Sequence, residues 1–386
     1  MGRGCWALVA AALLWTACRD PGVSAQERAR VHATHADGVP LHATPGDSAV
    51  TGRLADGLDV EVLRWDADHR WLEVRAPDGS AGWMSARYLD RAPAPLPPAW
   101  RSRTACAAAP RRSRAPGARI GSWNLRWFPD GAAHGPADHP TDVEWMACAI
   151  ASLGVDALAV QEVMLHARGQ AAVEQLTARL SAATGGRWRA AFDACPRDGR
   201  QHVGWLWDEA RVRLEDIEGL DDVNPLGGCT GRLRPGLAAT LRFGSGRVLR
   251  GVVVHLDSGT EARDRDHRSQ SVERLAARAA ELGDAIVLGD FNSMGGGGID
   301  GAAERAALDA RLGRAGWRRP PGEVECTEIY RGHGAALDHA YVSAGLSATM
   351  ETAGICAAGC QVPRGSAPPS LDVLSDHCPI VVEIRD

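Results

Sequence analysis

The chain has 386 residues, 45% of them hydrophobic, with a mean hydropathy of −0.20 and a formal net charge of −5. That length allows two domains, at about 150 residues each, and the apolar fraction can bury a real core. So mild a charge selects no partner, and because all 43 basic residues are arginine, a mark of a GC-rich genome, the arginine excess is no sign of phosphate-seeking.

The start, MGRGCWALVAAALLWTAC, carries one arginine and then an apolar run from Cys5 to Ala17. Such a run is too short for a bilayer, which needs about 20 residues. Residues 1–25 read as an export signal. The LLWTAC end resembles a bacterial lipoprotein signal with Cys18 as the lipidated residue; ordinary cleavage after Ala25 is the alternative. Export places the eight cysteines beyond Cys5 and Cys18 in an oxidising compartment, where an even number points to disulfides. Their spacing fits no zinc site. Cys356 and Cys360 are close enough to clip one loop, and Cys195 and Cys229 could tie another.

Residues 31–90 hold short alternating segments between turn signals, the pattern of a small all-β barrel. The ending DGSAGWMSARYL, with Trp71, Gly82, Trp83, Tyr88 and Leu89, resembles the bacterial SH3-like family. Domains of that kind often bind the cell wall, and here both tryptophans read as core rather than ligand-binding. Residues 91–118 read as a linker, proline-rich in APAPLPPAW and then basic in RRSRAPGAR. The linker has six Arg and no acid, whereas residues 119–386 have 28 Arg against 36 acids, a balance of −8.

From residue 119 strands and helices interleave, which makes an α/β domain. TDVEWMACAIASLG opens with Thr141 as N-cap and Glu144 three residues on, and ends on Gly154. RSQSVERLAARAAELG is a second amphipathic helix, through Val272, Leu275, Ala279 and Leu282. AIVLGDFNSM reads as a strand buried on both faces, stopped by Gly289, then followed by Asp290 and Asn292. A carboxylate there either caps a turn or is aimed at a reacting group. Other strands also carry a polar group at one lip: Asn124 in SWNLRWF, Glu162 in VQEV, His255 in VHLDSG, Asp338 in LDHAYVS, and Asp376 with His377 in SDHCPI. One such residue would be a turn residue. Six such sites in one domain point to a catalytic edge.

In this order the six motifs resemble the endonuclease/exonuclease/phosphatase superfamily, over essentially all of 119–386. The resemblance implies a four-layer α/β sandwich with two central mixed sheets, and a site where the strand ends meet. It also implies metal-assisted in-line attack of water on phosphorus. Glu162, Asn124 and Asp376 would hold Mg²⁺, or Mn²⁺ in its place, since hard oxygen donors suit that ion. Asp290 would be the base, Asn292 a donor to a phosphoryl oxygen, and His377, oriented by Asp338, would act on the scissile phosphate or the water. His255 would contact phosphate or help the leaving group, and Arg234 matches an arginine near the site. His202 and His339 read as structural, and Asp257 as shaping its turn. Met164, Gly199 and Gln201 depart from the groove-reading residues of pancreatic-type deoxyribonucleases. The expected activity is an exported phosphodiesterase cutting nucleic acid, DNA first. The alternatives are a sphingomyelinase-like lipid phosphodiesterase or a phosphatase of the same superfamily, and a wall-binding protein with an inactive large domain. Membrane contact is expected only through a lipid anchor.

Overall fold

The computed structural model describes residues 28–32, 38–47, 49–66, 71–90, 95–109, 117–133, 135–196, 199–322, 324–330, 332–360, 362 and 367–385. The expected export signal, Cys18 included, and the basic run 110–116 lie outside them. The chain divides into two compact units, Met1–Arg91 and Ala92–Asp386.

The first unit is a seven-stranded antiparallel sheet. Alternation along its short strands sends Leu41, Leu54, Leu72, Val74 and Met84 into one core. Trp83 is buried, with the Arg64 guanidinium over its ring, and half-buried Trp71 meets the His42 ring edge-on.

The second unit is a four-layer sandwich. One sheet runs, in spatial order, Trp188–Phe192, Gln201–Asp208, Ala157–Met164, Ala118–Phe128, Ile380–Ile384 and Ala348–Thr352. The other runs Val212–Leu220, Gly236–Phe243, Val248–His255, Ala285–Asp290, Asp338–Ser343 and Trp317–Arg318. Each is antiparallel except for one central parallel pair, Ala118–Phe128 with Ala157–Met164 and Val248–His255 with Ala285–Asp290. Facing residues such as Ile120, Trp205, Leu241, Val253, Ile286 and Val382 fill the space between the sheets. The helices Val143–Leu153 and Ala167–Thr184 cover the first sheet, and Ala262–Ala277 and Gly301–Arg314 the second.

Local details shift the sequence reading. Gly289 does not stop its strand; it lies inside Ala285–Asp290. Its φ is +148°, and a Cβ there would stand 2.0 Å from the Val254 carbonyl oxygen, so only glycine lets the two parallel strands close up. The first helix is capped by Asp142, not Thr141: the Asp142 side chain accepts the Trp145 N–H, while Thr141 spends its own N–H on Pro129. The helix expected to reach Leu282 breaks at Arg278 into Ala262–Ala277 and Ala279–Leu282.

Part of the expected linker is folded. Pro98–Trp100 forms a turn, and Ser102 caps the helix Arg103–Ala108. Trp100 is buried edge-on against Trp123, and the Trp145 indole donates to the Ala99 carbonyl. The Cys106–Cys148 disulfide fastens this segment to the helix Val143–Leu153. An aromatic side chain dropped into the core overrides a proline-rich composition.

The remaining bridges are Cys195–Cys229, Cys326–Cys360 and Cys356–Cys378. The expected tie between 195 and 229 is present, and the expected 356–360 clip is not. Peptide mapping of unreduced, oxidatively folded protein is expected to recover these four linkages. A peptide linking Cys356 to Cys360 would contradict the packing of residues 326–378.

Candidate active site

The C-terminal ends of the parallel strands open on one edge of the sandwich. Register places His255 beside Asp290, and Asp290 opposite Asp338. From the other sheet come Asn124 and Glu162, at a bulge between Asn124 and Phe128. Backbone at this edge leaves the usual regions: φ is +45° at Arg126, +50° at Trp127, +61° at Glu162 and +50° at Asn292. Non-glycine residues held so are strained, and such strain gathers at functional sites.

Hydrogen bonds fix each carboxylate. Glu162 accepts from the Trp127 amide at 3.0 Å and from the Asn124 side-chain amide at 3.1 Å. The same Asn124 nitrogen donates to Asp290 at 3.0 Å, so one amide bridges the two acids. Its oxygen accepts the Arg126 N–H, so as placed Asn124 orients the two carboxylates. The other Asp290 oxygen accepts the Asn292 amide at 2.8 Å. Asn292 gives one side-chain N–H to the Leu256 carbonyl and keeps a second donor.

The two histidines differ in charge. His377 Nδ1 lies 2.8 Å from Asp338, and its Nε2 lies 3.9 Å from both Asp290 and Glu328. Burial works against its charge, yet Asp338, Asp290 and Asp376 hold the imidazolium well above its ordinary range. His255 sits 3.4 Å from Asp290 and 3.8 Å from Glu162. Burial, with the charges of Arg234 and His377, keeps it well below that range and therefore neutral. Its Nδ1 is buried with no hydrogen-bond partner.

Carboxylates crowd this edge. Burial pushes Asp290 up to about 7, against the pull of His377 and with the help of Asp338. Burial likewise raises Glu162, and Asp376 is near enough to add to it. Arg234 is buried, donates to the Arg232 carbonyl, leaves its Nε without a partner and feels both Glu162 and Asp290. One site residue escaped the sequence reading. Glu328 is pushed up to about 7, first by burial, with Asp376, Asp338 and Glu162 adding to the rise. It lies on a hairpin of two three-residue strands, Glu328–Tyr330 and His333–Ala335, too short for a periodic signal. Backbone bonds from Ile329 to Asp376 and from Cys378 to Thr327 lace that hairpin to His377.

The structure brings the nine expected residues to this edge and leaves others out. His202 pairs with Asp193 in full burial, and His339 meets Ser293, as structural histidines do. Asp257 does more than shape a turn: it accepts from His267 and Arg232, each at 2.7 Å.

Hard oxygen donors that repel one another suit a divalent cation. Asp290, Asp338 and His377 offer ligand-type atoms within 4.8 Å of one another, but His377 and Asp338 already satisfy each other at 2.8 Å. Glu162, raised by burial and by the Asp376 carboxylate near it, fits the ion better, with Asp376 as its partner.

The folded chain without metal holds protons on Asp290 and Glu328 up to about pH 7, whereas in the unfolded chain those groups ionise near 4. Raised carboxylates make the folded state bind more protons, so stability falls as pH rises through that window. His377, raised as well, loses its contribution in the same direction. The metal-free protein is therefore expected to melt at lower temperature at pH 8 than at pH 6.5, with Mg²⁺ raising Tm more at pH 8. Equal Mg²⁺ shifts at both values would contradict the crowding.

A family model described as "Endonuclease/Exonuclease/phosphatase family" matches residues 121–377. No curated protein matches the chain. Among solved structures, TDP2 from D. rerio complexed with single strand DNA product superposes with a TM-score of 0.50 at 18% identity, over 70% of this chain and 100% of that one. Truncated TDP2 from Caenorhabditis elegans gives 0.50 at 16%, over 71% and 99%. A mannosyl-6-phosphatase from Bacteroides thetaiotaomicron gives 0.48 at 15%, over 70% and 100%. At these identities the likeness to the two TDP2 structures speaks for the fold alone.

Proposed function

The chain belongs to the endonuclease/exonuclease/phosphatase family, and we propose that it is an exported, metal-dependent phosphodiesterase that hydrolyses nucleic acid, DNA first. The observation that carries this reading is the buried ensemble around His377. A charged imidazole turns its outer nitrogen toward Asp290 at 3.9 Å, with Asn124 tying Asp290 to Glu162.

Glu162 and Asp376 would hold Mg²⁺, or Mn²⁺ in its place. Bound there, the ion supplies positive charge at the phosphoryl oxygens and offsets the crowded acids. Asp290 takes a proton from the attacking water as the water oxygen bonds to phosphorus and the bond to the leaving oxygen breaks; the alkoxide released takes a proton from solvent and departs as an alcohol. Asn124 and the Asn292 amide aim the Asp290 carboxylate. His377, held by Asp338, donates from Nε2 to a phosphoryl oxygen as negative charge builds. The free N–H of Asn292 and the Arg234 guanidinium add to that stabilisation. Neutral His255 gives the leaving oxygen a hydrogen-bond partner without another charge.

We read the N-terminal unit as the SH3-like domain that its sequence resembles; its all-β sheet supports that reading, and the cell wall is its proposed ligand. Four disulfides support an oxidising compartment. Among the described residues no helix is long and apolar enough to cross a membrane; attachment would come through a lipid on Cys18.

Purified protein is expected to nick plasmid DNA in Mg²⁺ or Mn²⁺ and to stop in EDTA. Asp290→Asn is expected to lose roughly 10²–10⁴-fold in kcat, with no rescue by metal. Glu162→Gln should lose activity that excess Mn²⁺ partly restores. Plasmid and RNA left intact while sphingomyelin or a phosphomonoester is hydrolysed would sink the nuclease assignment and keep the metal chemistry. Near-normal turnover in Asp290→Asn would sink the base.

A further inference from the structure

The far end of the sandwich carries a second polar feature. Glu162 lies toward the end of Ala157–Met164, whereas Trp207 pairs with Ala157 at its start. His255 ends its strand, whereas Arg242 pairs with Val248 at its start. Strands of eight residues put these two ends about 25 Å apart, at roughly 3.3 Å per residue. A cleft of about 670 Å³ opens at that far end.

Arg187, Arg211, Arg213 and Arg242 line it, and Glu209 is the one acid in its wall among the described residues. Arg213 and Arg242 stand directly opposite each other across the antiparallel ladder. Like charges so placed repel. Neighbouring carboxylates hold two of these guanidiniums by hydrogen bonds at Nε, Asp156 on Arg211 at 2.8 Å and Glu215 on Arg242 at 3.3 Å, while Glu209 lies 3.8 Å from Arg187 Nε. A guanidinium gripped at Nε is oriented, and its two terminal nitrogens remain as a fork for a phosphate. Arg213 has no ion pair among the described residues. The domain as a whole is acidic, with 28 Arg against 36 Asp and Glu over 119–386, so this cluster runs against its bulk charge.

We propose that this cleft binds a polyanion of two or more linked phosphates, the chemistry shared by a free oligophosphate and a nucleic-acid backbone. Four guanidiniums spread around the cleft exceed what one phosphate can engage, and bound phosphates would relieve the Arg213–Arg242 repulsion. The site is separate from the catalytic edge and stands whether or not the nuclease reading does.

The test is calorimetric titration of the full chain with inorganic tripolyphosphate and with inorganic phosphate, in EDTA. Tripolyphosphate is expected to bind one per chain and at least ~10-fold tighter than phosphate, since it engages several guanidiniums at once. The double variant Arg213→Ser, Arg242→Ser should lose ~10-fold or more in that affinity, with Tm and hydrolysis of a small phosphodiester unchanged. The double lysine variant should recover part of the binding. Hydrogen exchange on the unaltered protein should show protection over residues 209–213 and 241–244. A single-stranded oligonucleotide that displaces tripolyphosphate makes the backbone the source; one that does not leaves free oligophosphate. Absent binding, binding untouched by the double serine variant, or binding abolished by Arg234→Ala would each overturn the proposal.

Discussion

Carboxylates set close together and wholly or partly buried govern this edge of the molecule. Glu162, Asp290, Glu328, Asp338 and Asp376 act on one another, with His377 and Arg234 as the nearby cations. Buried charge of one sign is costly unless neutralised, so the surrounding structure has to hold the acids together by force. It does so through the Asn124 amide, the Trp127 and Asn292 backbone N–H groups, and segments tied across elements. Trp123 donates to the His377 carbonyl at 2.8 Å, and Ser375 joins the Asn124 carbonyl to the His377 N–H. Two disulfides, Cys326–Cys360 and Cys356–Cys378, flank the hairpin on which Glu328 rides. The cation that such an arrangement invites is as much a structural counterweight as a reagent.

The same crowding separates the two histidines chemically. Both are buried, yet only His377 has a carboxylate directly on Nδ1, and only that ring keeps its charge. His255 has an empty Nδ1 and two positive neighbours. A pair of titratable groups driven apart by environment is how one site provides distinct proton-handling roles at one pH.

How much of this was legible depended on whether a feature lay in local pattern or in pairing. Buried strands ending in Asn124, Glu162, His255 and Asp290 announce themselves by apolar runs broken by a polar residue, and an α/β domain follows from their alternation with helices, whereas the sandwich was implied by the family resemblance. Glu328 gave no such signal, because its three-residue strand exists only through its partner and its bridge to His377. Disulfide partners are set by where loops run in space, so the short spacing of Cys356 and Cys360 misled. The 98–108 segment hid behind its prolines, although Trp100 within it is a core residue. The bridging orientation of Asn124 is a rotamer, and a sequence carries residue type without rotamer.

The left-handed backbone at Glu162 and Asn292 bears on how this site can change over generations. Glycine would sit more easily at both positions, and it would remove the carboxylate from one and the amide from the other. Drift toward greater stability and retention of chemistry therefore pull in opposite directions at these two codons. A lineage released from the need for catalysis would have a downhill route there, open to single substitutions and invisible to the rest of the fold. This chain has not taken it.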